Sequence, residues 1–133
     1  MADMEKGDIV AYWLSEAEEA RKVAWHLFEK KDYSYSLFFG HLAVEKMLKA
    51  ILAQRTNEEI PRSHNLLRLL NAAGVEASEE RCDYLMRITG YNLEARYPDY
   101  KRAFRKKCSK EFTEVELGIV EEVMKWLASI VQS

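Results

Sequence analysis

Two prolines (Pro61 and Pro98) and five glycines are all that can break regular structure in 133 residues. No stretch alternates β-branched and polar residues, whereas apolar residues recur every three or four positions almost throughout. A chain with so few breakers and that spacing buries its apolar surface as helices. The first segment starts near Asp8, read as an N-cap, and runs to about Lys30. Its stripe is Ile9, Trp13, Ala17, Ala20, Ala24 and Leu27/Phe28, and the three central alanines allow a second helix to approach closely. The next segment follows Asp32 and runs to about Arg55. Apolar residues on both of its sides (Phe38, Leu42, Leu48, Leu52 and Leu37, Val44, Ile51) mark it as central. Pro61 and Ser63 open a short piece, HNLLRLL, that Gly74 closes. A fourth segment starts at Ser78, carrying Tyr84, Ile88, Tyr91 and Ala95 on one stripe and Leu85, Thr89, Asn92 and Arg96 on the next. Pro98 disfavours helical geometry at Tyr97 and should end it. The last segment reads as a capping box, Thr113-x-x-Glu116, followed by Val115, Ile119, Val123, Trp126/Leu127 and Ile130. The expected fold is all-α: an antiparallel, up-and-down bundle of four main helices plus one short helix, in a single domain over 1–133 with its core at about 9–131.

Charge and composition narrow the function. The longest stretch without Asp, Glu, Lys or Arg, Tyr33 to Val44, has twelve residues, whereas a spanning helix needs about 20. Asp3, Glu5 and Asp8 stand where a signal peptide would be basic. Cys82 and Cys108 form no C-x-x-C, so a reduced thiol pair and a cytoplasmic setting are expected, with no metal and no cofactor.

Glu45 is the anomaly of the second segment. It follows Phe38 and His41, and precedes Leu48 and Leu52, on a face otherwise made for the core. A buried carboxylate is costly unless paired, and Arg96, a tyrosine hydroxyl or His64 are the candidate partners. His41 and Glu45 could share a metal only with Glu-x-x-His on other helices, and the chain has none. Arg21 and His26 spell R-x4-H, but five residues at about 100° each place them about 140° apart around the axis, so they do not converge on one phosphate.

The chain carries a net charge of −2, yet residues 101–110, KRAFRKKCSK, hold six basic residues and no acid, leaving −8 on the rest. The run begins just after ARYPDY. Arg96, Tyr97 and Tyr100 beside Lys101, Arg102, Arg105, Lys106, Lys107 and Lys110 combine a guanidinium, flat aromatic rings and ammonium groups, as in sites that hold a phosphate and stack a base. Asp99 can pair with Arg96 or a lysine, and a solvated charge run on a loop is the competing interpretation.

Three stretches occur in order: FFGHLAVEKMLKAIL, with Ala43, Glu45, Lys46, Lys49 and Ala50 spaced A-x-E-K-x-x-K-A; HNL at His64 to Leu66; and ARYPD at Ala95 to Asp99. Together they resemble the HEPN (higher eukaryotes and prokaryotes nucleotide-binding) domain from about residue 9 to 131. The resemblance implies a four-to-five-helix bundle, a homodimer, binding of nucleotides or RNA, and a minimal nucleotidyltransferase partner in a two-component or toxin–antitoxin system. It picks out Glu45, Lys46, Lys49, His64, Arg96, Tyr97 and Asp99 as matching the family's recurrent motifs, with Arg96 locked to Glu45 as a structural pair. Many members are metal-independent ribonucleases with an R-x4–6-H motif in the late helices. Here no histidine follows Arg96, so no catalytic residue is assigned. The competing expectations are an atypical ribonuclease site built from His64, Arg96 and Glu45, and a purely structural assembly subunit.

Overall fold

Helix α2 (Tyr33–Arg55) is the axis of the molecule. Leu37, Val44, Leu48, Ile51 and Leu52 are buried around it, as residues apolar on two sides require. The computed structural model describes residues 5–132, and of Ala95, Pro98, Asp99 and Gln132 only the backbone. Met1–Met4, Asp3 among them, and Ser133 lie outside the described residues.

Helix α1 (Lys6–Glu29) pairs with α2 through its alanines. Ala17, Ala20 and Ala24 are buried, and Ser36 Oγ donates to the Ala24 carbonyl at 2.7 Å. The turn between the two is tight, with Lys31 at φ 68°. Asp8 does not cap α1. The helix begins at Lys6 after Glu5, and Asp8 sits in the first turn, where it complements the helix dipole.

Helix α3 (Leu66–Ala72) is capped by Asn65, whose side chain accepts from Arg68 N at 3.1 Å, and it ends at Gly74, φ 69°. Helix α4 (Glu79–Arg96) starts from a Ser78 cap and stops at Tyr97 before Pro98, as the sequence predicts.

Beyond Tyr97 the structure departs from the pattern expected of the sequence. Residues Pro98–Lys107 form a further helix, α5, with Pro98 at its start and Tyr97 serving as C-cap of α4 and N-cap of α5. The basic run is therefore helical, not a loop. Helix α6 (Lys110–Gln132) begins before Thr113. Ser109 Oγ accepts from Phe112 N at 3.1 Å, while Thr113 donates back to the Ser109 carbonyl at 2.7 Å, so Thr113-x-x-Glu116 is helix interior and not a capping box. Its buried face is Leu117, Val120, Val123, Met124 and Leu127, while Val115 lies exposed. The described residues form an all-α bundle of six helices. No described helix is long and apolar enough to cross a membrane.

Candidate nucleic-acid interface

Helix α5 is short, charged and pinned at two points. Phe104 and Cys108, four residues apart, are its buried contacts. Phe104 stacks on Tyr91 of α4, with centroids 6.1 Å apart and planes at 26°. Burial pushes the Cys108 thiol up to about 11, so it stays protonated and inert. With side chains at about 100° per residue, anchoring through Phe104 turns Arg102, Arg105 and Lys106 away from the core. Arg102, Arg105, Lys106 and Lys107 are exposed and Lys101 is half-buried. Among the described residues none of these five, nor Arg96 or Lys110, forms an ion pair with a carboxylate. Two of the cations lie over rings instead: Lys101 Nζ is 5.6 Å from the Tyr35 centroid and Lys107 Nζ 5.2 Å from that of Phe112. The side chain of Asp99 lies outside the described residues.

Helix α4 delivers Arg96 to the first turns of α2. There the guanidinium lines a recess of about 330 Å³ together with Tyr35, Phe38 and Phe39. Its hydrogen bond is a long one, 3.5 Å from Nη1 to Asn92 Oδ1. Tyr35 forms the boundary with a second groove that holds Lys31, Asp32, Tyr33 and Arg105. Lys101, interacting with the phenol, and Arg105 behind it hold Tyr35 below its ordinary pKa of 10.0. Tyr97 and Tyr100 are also exposed, so rings and cations interleave along this edge.

Arg96 and Glu45 are not a pair. Glu45 accepts from His64 Nδ1 through Oε1 at 2.8 Å and from Lys49 Nζ through Oε2 at 3.1 Å. The chain register explains why the guanidinium misses it. The end of α4 meets Tyr35, Phe38 and Phe39, while Glu45 lies ten residues beyond Tyr35, about 15 Å along the helix axis. Of the three candidate partners for Glu45, the histidine is the one supplied. An atypical ribonuclease site of His64, Arg96 and Glu45 thus lacks its guanidinium. His41, fully buried beneath, donates Nε2–H to the His64 carbonyl at 2.8 Å. Its Nδ1 is 4.0 Å from Glu45 and has no hydrogen-bond partner among the described residues. Burial lowers the His41 pKa below its ordinary 6.5, only partly offset by that carbonyl and by Glu45. For Glu45, burial pushes upward, but the bonds from His64 and Lys49 outweigh it and hold the carboxyl below its ordinary 4.5. Lys46 and Lys49 lie over the Trp13 ring, at 5.9 and 5.2 Å, in this second neighbourhood and not beside α5. The expected phosphate-binding set is therefore split between two places.

The model of one family, the HEPN domain, matches the chain over residues 10–130. The chain belongs to the HEPN domain family. In fold it is similar to TT1696 from Thermus thermophilus, seen by crystallography, with a TM-score of 0.78 and 20% identity over 91% of this chain and 97% of that one. No curated protein matches it.

Within this HEPN chain one functional arrangement is not evident from the sequence. Glu116, buried in α6, accepts from Arg87 Nε through Oε1 at 2.7 Å and from Arg87 Nη2 through Oε2. Tyr91 donates its hydroxyl to the same Oε1 at 2.6 Å. Tyr91 is the ring on which Phe104 stacks, so the α6 carboxylate orients the seat of the cationic helix. The available signal is the i,i+4 pair Arg87–Tyr91 opposite an acid at helical spacing in α6 (Glu116, Val120, Val123), which the resemblance to a capping box obscures. On α1, Arg21 is held by Glu121 at 2.7 Å and Glu18 at 3.1 Å, and His26 is exposed on another face of the helix, so R-x4-H has no common target there. Among the described residues no group of three or more His, Cys, Asp or Glu is placed to hold a metal ion.

Proposed function

We propose that this HEPN protein binds phosphate-bearing nucleotides or RNA through the outer face of α5. The observation that carries the reading is the set of five cations, Lys101 to Lys107, that lack carboxylate partners among the described residues on a helix anchored by a single buried ring. Holding like charges together is unfavourable unless a polyanion answers them, and the exposed Tyr35, Tyr97 and Tyr100 offer base-stacking surfaces alongside. Arg96 contributes from the end of α4, while Lys46 and Lys49 are occupied by Trp13 and Glu45 and belong to the scaffold.

Fluorescence anisotropy with a labelled single-stranded RNA tests this. If all five cations engage phosphates, raising salt from about 50 to about 200 mM weakens binding about 100-fold. A variant with Arg102, Arg105 and Lys106 changed to Glu should lose most of the affinity and most of that salt slope. Equal binding by both proteins would dispose of the reading.

A further inference from the structure

We infer that the recess between Tyr35, Phe38, Phe39 and Arg96 receives one unstacked nucleobase of a single strand, guanine in preference to adenine or uracil. This rests on the α5 reading, since the cations beside the recess hold the flanking phosphates. The recess, about 330 Å³, is of a size for one base and is walled by three aromatic side chains. A base enters such a slot only after leaving its stack, which favours single strands over duplexes.

Arg96 supplies the discrimination. Arg96 lines the recess, and its hydrogen bond to Asn92 is long, 3.5 Å, and uses one nitrogen of the fork. A guanidinium matches the two adjacent acceptors O6 and N7 of guanine. Adenine sets an amino donor against that fork, and uracil separates its two carbonyls by an N3–H donor. Just outside, Lys101 over the Tyr35 ring and Arg105 in the groove that Tyr35 borders put positive charge where a strand leaving the recess carries its phosphates.

The test uses uridine decamers, labelled at one end, with a central uridine, adenosine or guanosine. The guanosine decamer should bind at least about fivefold tighter than the other two, a gap well within that of one good bidentate base contact. Arg96→Lys keeps the charge and removes the fork. Because Arg96 is exposed, the variant should melt like the parent and should bind the three decamers alike, the guanosine preference being lost. Phe38→Leu should weaken all three decamers by removing one wall. Uniform, salt-sensitive binding of the three decamers would overturn the base pocket while leaving the α5 reading in place. A guanosine preference that survives Arg96→Lys would overturn it too, and no binding of any decamer would end both.

Discussion

Tyr91 holds its hydroxyl proton more firmly than a free phenol does. Burial first, and the adjacent Glu116 carboxylate second, push its pKa far above the ordinary phenol value. Glu116 in turn draws Arg87 closer and raises the guanidinium pKa further. Removing the carboxylate strands the buried hydroxyl, while half-exposed Arg87 can return to water. Glu116→Ala should therefore cost about 3 kcal/mol, mostly through Tyr91. Glu116→Leu combined with Tyr91→Phe should recover most of that loss, because both polar groups then disappear together. Urea unfolding of the two variants checks this, and equal midpoints would show that the hydroxyl is not what suffers. Glu45 and Glu116 also show how far single residues speak for themselves. Glu45 stands among apolar neighbours at core spacing, so its burial follows from pattern alone. Glu116 lies three residues after Thr113, and the same letters describe a helix start. Choosing between them requires knowing that Ser109 caps α6, which depends on where α5 ends.

At the scale of elements, α5 depends on two buried side chains, Phe104 and Cys108, the ring being the larger contact. Its ten residues include five cations, too few apolar groups for a helix of that length to be stable alone in water. Phe104→Ala should cost about 3 kcal/mol in global stability and should also free the helix locally. Trypsin should then cut at Lys101 to Lys107 well before it cuts elsewhere, whereas the parent resists there. A parent cut as fast as the variant would mean that Phe104 is not the anchor. This helix is hard to see in the sequence because proline both ends and begins helices. Pro98 excludes helical geometry at Tyr97 yet is well suited to the first position of the next helix. Phe104 and Cys108, spaced by four, are the apolar signal, outnumbered by lysines and arginines. By contrast, α2 and the alanine stripe of α1 can be read directly, since each presents a long periodic face.

For the molecule as a whole, the cluster around Glu45 sets a pH dependence. His41 faces Glu45, the His64 carbonyl and Lys49, and its pKa is lowered in the folded state. The unfolded chain therefore takes up a proton below about pH 6.5 that the fold refuses, and stability falls as pH drops from there. Glu45 acts in the same direction at lower pH. Its depressed carboxyl contributes stability above about pH 4.5 that drains away as pH falls through its folded value. His41→Gln retains a donor for the His64 carbonyl and cannot titrate, so it should remove the first decline and keep the second. Denaturation midpoints at about pH 7.5, 5.5 and 4 measure both legs. An unchanged parent midpoint between the first two, or the same drop in His41→Gln, would contradict the assignment. Helix content, the central place of α2, the burial of Glu45 and the HEPN motifs all follow from spacing along the chain, because periodicity is a local property of neighbouring residues. Which residues face one another is not local. The antiparallel register between α4 and α2 sets Arg96 among Tyr35, Phe38 and Phe39, leaves Glu45 to His64 and Lys49, and seats Phe104 on Tyr91. A shift of two or three helical turns in that packing would change every one of these partners without altering a single periodic face.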